Sequence, residues 1–262
     1  MEKPTYWQLQ TAENPLFPNI EWNKPEQKSH AGKLGIVGGN KLGFVAVGDS
    51  YQTALGTGAG KVRVVVPDTL KKAIPPAFTD VTFGASNPSG SLGKDALLEL
   101  RALGAWADGM LLIGDTGRNS ETSILYEDFM RDYQRPLTVT RDAIDTLLNS
   151  PSALVERENT LIVASFAQLQ KIFMKVYYPK MVTFSMQLAQ LVETLHKFTV
   201  TYPVTIVTYH QDHIVVAHDA QVVTMKWSDP MQIWKGTVAT KAATYWLWNP
   251  GKPLESVASS LL

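Results

Sequence analysis

The chain has 262 residues, 45% of them hydrophobic, and equal numbers of acidic and basic residues give it a formal net charge of +0. This apolar content excludes a disordered chain, and the neutral balance argues against a nucleic-acid partner. The absence of cysteine excludes disulfides, thiolate metal sites and a cysteine nucleophile. No apolar run approaches the roughly 20 residues of a membrane span, and the N-terminus has no signal core. We therefore expect a soluble, cytoplasmic protein with no membrane partner.

Residues 1–28 are predicted to form an ordered N-terminal arm. The arm contains four prolines, whose spacing is incompatible with a long helix. Its aromatic residues Trp7, Phe17 and Trp22 are expected to pack on the main body or on a partner subunit. Residues 29–262 are predicted to form one domain.

Strands and helices alternate through most of the remaining chain. Short apolar runs bounded by turn residues predict strands at 33–39, 61–66, 80–83, 110–113, 136–140, 160–165 and 203–209, followed by a hairpin of 213–217 and 221–225. Helices are predicted at 45–55, 95–107, 124–130, 141–148, 166–173, 181–198, 238–248 and 254–262. Because crossovers between parallel strands are right-handed, this alternation predicts an α/β fold with a mainly parallel central sheet between helices.

The stretch 109–122 is the strongest local signal of a binding site. Four apolar residues, 110–113, suit a strand buried on both faces, and a glycine-containing turn follows them. Loops at the carboxyl ends of such strands bind small ligands. The candidate ligand contacts in this turn are Gly114, Asp115, Thr116, Gly117 and Arg118. Asp115 could equally cap the helix that follows.

Two further groups of residues each allow a functional and a structural interpretation. Gly38, Gly39 and Asn40 could shape a substrate or nucleotide loop, or they could form only a tight turn between strand and helix. His210, His213 and His218 could suggest a metal, but no carboxylate pattern accompanies them. We expect the histidines to be hairpin residues and predict no resident metal.

Taken in order, these landmarks resemble the ribokinase-like superfamily, and most closely its ADP- or ATP-dependent NAD(P)H-hydrate dehydratases. Residues 38–40 lie where that family has a Gly-Gly-Ser turn, and residues 58–60 resemble its Gly-Ala-Gly. Residues 113–118 resemble its Ile-Gly-Pro-Gly-Leu-Gly-Arg, one residue shorter, and 136–144 lie where its strand ends in Asp-Ala-Asp-Ala. Pro253 resembles the start of its final helix. The likeness covers roughly residues 30–262.

The resemblance implies a three-layer α/β/α sandwich that binds ADP or ATP, with no metal beyond magnesium carried by the nucleotide. The implied ligand-binding residues are Gly38, Gly39, Asn40, Ala46, Gly114, Asp115, Thr116, Gly117, Arg118 and Asp142. The implied nucleotide-binding residues are Thr208, Lys235, Gly236 and Thr237. A helix N-terminus that begins near Gly236 could hold a phosphate through its amides, with Lys235 as a point charge.

Several positions depart from the family pattern. Its Gly-Thr-Gly-Asp turn falls on residues 234–237, so that Thr237 occupies the position of the acid. A threonine hydroxyl is not a general base near neutral pH unless a partner activates it. The family's histidine becomes Phe166, its following acidic residue becomes Leu169, and its Lys-Gly turn becomes Thr208 and Tyr209.

Three functional hypotheses follow. The leading one is a diverged NAD(P)H-hydrate dehydratase-like protein that binds a nucleotide or related small molecule, with Thr237 and Phe166 arguing against dehydration. The second is a catalytically inactive structural or regulatory protein. The third is a small-molecule kinase whose base has moved to Asp142 or Asp115. In each case we expect a homo-oligomer.

Overall fold

The computed structural model describes residues 4–75, 78 and 80–262, so residues 1–3 of the predicted arm lie outside the described part. The strands are β1 (Trp7–Gln10), β2 (Lys33–Gly38), β3 (Lys61–Pro67), β4 (Val81–Gly84), β5 (Gly109–Gly114), β6 (Leu137–Thr140), β7 (Thr160–Ala164), β8 (Val204–His210), β9 (His213–His218) and β10 (Gln221–Lys226). The helices are α1 (Pro18–Trp22), α2 (Val45–Thr57), α3 (Leu97–Trp106), α4 (Ser120–Asp132), α5 (Asp142–Leu147), α6 (Pro151–Val155), α7 (Phe166–Lys175), α8 (Leu188–Thr201), α9 (Met231–Lys235), α10 (Thr237–Trp248) and α11 (Pro253–Ser259).

The ten described strands form one sheet in the order β1-β10-β9-β8-β7-β6-β5-β2-β3-β4. Every neighbouring pair from β8 to β4 is parallel, and β1 is parallel to β10. Strand β9 is antiparallel to both of its neighbours and is the only described strand of opposite direction. The predicted mainly parallel sheet is therefore confirmed.

Helices cover both faces of the sheet and make three layers. Strand β5 is buried at all six positions, which a strand of unbroken apolar character requires. One core lies between the sheet and helices α3 to α8. The other lies on the opposite face, beneath α2, α9, α10 and α11. The three-layer α/β sandwich predicted above is thus the observed architecture.

The predicted helix over 181–198 is wrong at its start, because α8 begins only at Leu188. The side chain of Gln190 accepts a hydrogen bond from the backbone N–H of Gln187 at 3.0 Å, which closes the first turn of α8. Val182 and Met186 are buried as predicted, but they lie in an irregular segment before the helix. Their apolar character reflects packing of this segment against the body, and not helical periodicity.

The N-terminal arm contributes a strand that the sequence analysis did not predict. Strand β1 adds to the sheet edge beside β10, and the indole N–H of Trp7 donates to the hydroxyl of Thr224 at 2.8 Å. Phe17 also packs against the core of the main body. Trp22, in contrast, is 85% exposed and does not pack on the main body, so for this residue the predicted contact with a partner subunit stays a prediction.

The carboxyl ends of the parallel strands β2, β5, β6 and β7 meet at one edge of the sheet. This is the edge at which α/β sheets of this kind bind ligands. Among the described residues, no helix is both long enough and apolar enough to cross a bilayer.

Candidate ligand-binding cleft

A polar cleft of about 530 Å³ opens at the carboxyl ends of β5, β6 and β7. Its walls carry three carboxylates, two cations, one large aromatic ring and smaller polar groups. These are Asp115, Asp142, Asp145, Arg141, Lys171, Trp234, Thr140, Ser165 and Gln168. The volume lies within the range of small-molecule sites.

On the β5 side of this cleft, the carboxylate of Asp142 lies where three backbone N–H groups converge. Its carboxylate accepts hydrogen bonds from the N–H of Asp115 at 2.6 Å and from the N–H groups of Thr116 and Gly117 at 3.0 Å each. The carboxylate of Asp142 can approach the backbone this closely because residue 114 is glycine. A Cβ at that position would lie 2.1 Å from a carboxylate oxygen of Asp142. Three consecutive amides of this kind form an anion-binding concavity, and here the anion belongs to the chain.

Asp115 is held by two elements. One carboxylate oxygen accepts from the backbone N–H of Ala46 at 3.2 Å, at the N-terminus of α2. The other pairs with the guanidinium of Arg141. Asp115 therefore caps α2, and the helix that follows it in sequence, α4, is capped instead by Asn119. The cap is favourable because helix N-termini attract negative charge.

Arg141 crosses the cleft from β6 to the segment before α10. Besides its pair with Asp115, its guanidinium donates to the backbone carbonyl of Trp234 at 2.7 Å. Its backbone has φ 56°, a left-handed conformation that is uncommon for residues other than glycine. Such a conformation persists where the surroundings enforce it, and the bonds to Asp115 and Trp234 supply that enforcement.

The start of α10 differs from an open phosphate-binding turn. Gly236 has φ +89° and is buried, and a Cβ there would lie 2.4 Å from Cδ1 of Ile113. Its backbone N–H donates to the carbonyl of Ile233 at 3.1 Å and so closes α9. Lys235 is exposed, and Thr237 is the first residue of α10.

The opposite wall is built from α5 and α7. The amide of Gln168 donates to the carbonyl of Arg141 and to the carboxylate of Asp145, both at 2.7 Å. Asp145 also pairs with Lys171 at 2.5 Å. Above this wall the indole of Trp234 is 51% exposed, so one face of the cleft offers an aromatic surface to a ligand.

The structure brings together most of the residues predicted from the sequence. Gly39 donates its N–H to the carbonyl of Gly114 at 2.8 Å, and the Asn40 amide donates to the carbonyl of Asp115. Gly38 allows the ends of β2 and β5 to lie close together, because a Cβ there would lie 2.4 Å from the carbonyl oxygen of Gly114. Residues 38–40, 46, 114–117, 142 and 236 thus gather around one sheet edge.

Of the predicted residues, Asp115 and Asp142 line the polar cleft itself, whereas Thr208 and Arg118 are among those that do not. Thr208 is fully buried in β8, and its hydroxyl has no hydrogen-bond partner among the described residues. Arg118 is exposed and lines a neighbouring cavity of about 580 Å³, together with Lys171 and Lys175. The side chains of Thr208 and Arg118 do not line the polar cleft.

Several cleft residues were missed by the sequence analysis. Arg141 and Ser165 directly follow β6 and β7, so the strand-end rule applied to β5 would also have identified them. Trp234, Gln168 and Lys171 lie on helices, and nothing in the local sequence indicates that they face a cleft.

The histidines make separate contacts. Nε2 of His210 lies 2.7 Å from the carbonyl of Met186, and its ring stacks on Phe166 at a centroid distance of 4.5 Å. His213 lies beside Asp212, and His218 beside the hydroxyl of Thr205. Within residues 4–75, 78 and 80–262, no group of three or more potential ligand residues is arranged to hold a metal ion.

The sequence matches no protein-family model and no curated protein. Solved structures are similar in fold. A ribokinase-like superfamily protein from Enterococcus faecalis superposes with a TM-score of 0.73 at 14% identity, over 100% of this chain and 87% of that one. The ADP/ATP-dependent NAD(P)H-hydrate dehydratase of Bacillus subtilis, co-crystallised with ATP/Mg²⁺, superposes with a TM-score of 0.62 at 12% identity, over 95% of this chain and 87% of that one. Phosphomethylpyrimidine kinase from Clostridium difficile superposes with a TM-score of 0.54 at 12% identity, over 87% of this chain and 96% of that one.

These identities are too low to transfer an activity, since one fold carries many functions. The TM-scores show a shared fold. The similarity that was inferred from sequence landmarks is therefore confirmed at the level of architecture, and the chain has the ribokinase-like fold.

Proposed function

We propose that this protein is a diverged NAD(P)H-hydrate dehydratase-like protein that binds a nucleotide or related small molecule in the cleft between β5, β6, β7 and Trp234. In this proposal the base of the ligand supplies most of the recognition. The phosphates contribute little, and the protein does not dehydrate hydrated NAD(P)H.

The observation that carries the proposal is the distribution of donors in the cleft. The amides of 115–117 already donate to Asp142, and the N–H of Gly236 donates to Ile233. These groups are the ones that a glycine turn would offer to phosphates, so the residues present do not fit a tightly bound triphosphate. The exposed indole of Trp234 remains available to stack on a planar base, whereas Ser165 and Gln168 already bond to each other.

The same geometry argues against proton transfer by the cleft carboxylates. Asp142 directs its oxygens at three amides, and Asp115 directs its oxygens at Arg141 and the start of α2. A general base needs a free lone pair within reach of the proton that it removes. The third cleft carboxylate, Asp145, is paired with Lys171 and accepts from Gln168. Thr237 and Phe166 offer no basic group, so the proposal assigns no base for a dehydratase or a kinase mechanism in this cleft.

Isothermal titration calorimetry with adenosine, AMP, ADP, ATP and NADH tests the proposal. We expect adenosine and ATP to bind with dissociation constants that differ by less than about tenfold, which is ~1.4 kcal/mol. Trp234→Ala should weaken all of these ligands by about tenfold, since stacking on an aromatic ring contributes about 1–3 kcal/mol per base. Trp22→Ala, at an exposed tryptophan remote from the cleft lining, serves as the matched control.

An affinity that rises steeply with each added phosphate would overturn the proposal, as would turnover of hydrated NADH in the presence of ADP or ATP. Binding of none of the five compounds would favour the second candidate, a structural or regulatory protein. The observation that favours that candidate is that the carboxylates of Asp115 and Asp142 already bind groups of the chain itself, Arg141 and the backbone amides of residues 115–117.

A further inference from the structure

A second cavity, of about 570 Å³, lies beside α7 and adjoins the cleft, with which it shares the lining residues Ala167 and Lys171. We name it the α7 groove and define it by Gln170, Lys171, Met174, Tyr178, Lys180 and Val182. It lies between the outer face of α7 and the segment 176–187, the part of the chain in which the predicted helix start was wrong.

The wall formed by the segment 176–187 is anchored at two points. The amide of Gln170 donates to the carbonyl of Val182 at 2.8 Å, which ties the segment to α7. Near its end, the carbonyl of Met186 accepts from the amide of Gln211 at 3.3 Å and lies 2.7 Å from Nε2 of His210. Val182 and Met186 are themselves buried. The groove is therefore a built feature of the fold.

The groove and its rim expose large apolar side chains. Tyr177 is 91% exposed and Met174 is 55% exposed, and Met181 and Phe184 are also exposed on the same segment. Contiguous apolar surface of this kind marks interaction sites in proteins of this size. Methionine side chains are flexible and polarisable, and they adapt to ligands of variable shape.

The charge along the groove has one sign. Lys171 and Lys180 contribute to its lining, and the described lining residues include no carboxylate. Lys171 also lines the neighbouring cavity that holds Arg118 and Lys175, where Asp145 is the only acidic lining residue described. An apolar floor with ammonium groups at its edge is complementary to a ligand with an apolar body and an anionic head.

We propose that the α7 groove binds a small amphipathic anion, an unbranched alkyl chain that ends in a carboxylate or phosphate group. The alkyl chain lies against Met174, Tyr178 and Val182, and Lys180 holds the head group. Lys171, which is paired with Asp145, lies beside it. This site adjoins the polar cleft, but its occupation does not depend on the function proposed for that cleft.

The test uses the full chain with ¹³C-methyl-labelled methionine and monomeric decanoate, decyl phosphate, decanol and decyltrimethylammonium as probes. We expect decanoate or decyl phosphate to shift the Met174 and Met181 methyl resonances saturably, while the buried Met110 on β5 stays unchanged. The more tightly bound of these two probes identifies the head group as carboxylate or phosphate. Equal binding of the cationic or the neutral probe would overturn the proposal.

Variants make the test specific. Met174→Glu should weaken the anionic probes at least about tenfold, because it places a carboxylate on the apolar floor. Leu98→Glu, at an exposed leucine of α3, is the matched control and should bind as the wild type does. Lys180→Glu should transfer the preference to decyltrimethylammonium. Trp234→Ala should leave decanoate binding intact. Unchanged binding of the anionic probes by Met174→Glu, or binding only of an acidic amphipathic peptide, would contradict the assignment.

Discussion

Asp142 and Asp115 determine the electrostatics of the cleft. Each carboxylate lies where backbone N–H groups converge, Asp142 on residues 115–117 and Asp115 on the start of α2. Backbone donors fixed in this way favour negative charge. Because the chain supplies that charge itself, an external anion has to compete with a tethered carboxylate of high effective concentration.

His218 gives a prediction about pH. Desolvation lowers the pKa of this imidazole below its ordinary value of 6.5, and Asp219 opposes the shift only in part. Because the folded state binds the proton less tightly than the unfolded state, stability is lost as pH falls from 6.5 towards the folded pKa. We expect His218 to lower the free energy of unfolding by at most about 1.4 kcal/mol for each pH unit in that window.

Urea unfolding at pH 7.5 and at pH 5.5, for the wild type and for His218→Gln, measures this contribution. The variant should show a smaller loss of stability between the two pH values. An equal loss in both proteins would mean that His218 is not the group responsible.

Local backbone turns could be predicted from the sequence, but contacts between residues distant in the chain could not. The turn after β5 was predicted from its glycines, and Gly114 and Gly117 there have the positive φ that glycine adopts readily. The three amides that bind Asp142 lie some 25 to 27 positions earlier in the chain. That contact depends on the pairing of β5 with β6, which no local pattern encodes. Asp142 was therefore identified as a site residue, but its role was not.

At the scale of elements, most predicted strands and helices lie within a few residues of their observed positions. Strand β5 and helix α10 were predictable because their apolar residues repeat with a clear local period or run. Strand β1 was not predicted, since its partner β10 lies more than 200 residues away. The start of α8 was misplaced because buried residues in the segment 176–187 imitate the apolar face of a helix.

The role of β1 as an edge strand leads to a second stability prediction. Trp7 donates to Thr224 and packs against the core, so Trp7→Ala should lower the free energy of unfolding by about 2–3 kcal/mol. Trp22→Ala, which removes an exposed ring from the same arm, should change it by less than about 0.5 kcal/mol. Chemical denaturation of the two variants checks the difference, and equal effects would show that β1 does not contribute to the stability of the sheet.

At the scale of the whole molecule, nine of the ten described strands run in one direction, which places their carboxyl ends along one edge. The alternation of strands and helices was sufficient to predict this architecture and the location of the cleft. It was not sufficient to predict what fills the cleft, since the contacts among Asp115, Arg141 and Asp142 arise only in the assembled sheet. The carboxylates of Asp142 and Asp115 thus occupy backbone donors that would otherwise bind an external anion, those of residues 115–117 and of the start of α2.

The dependence of thermal unfolding on inorganic phosphate, at constant ionic strength, tests that claim most directly. Asp142→Ala should lose about 2–3 kcal/mol of stability by freeing three amides, and phosphate at a hundred times its dissociation constant should restore about 2.7 kcal/mol. The control Asp145→Ala removes a carboxylate from the same cleft that bonds only to side chains, Gln168 and Lys171. Phosphate should leave this control and the wild type unchanged. A wild type stabilised by phosphate as strongly as Asp142→Ala, or an Asp142→Ala variant that phosphate does not stabilise, would contradict the account.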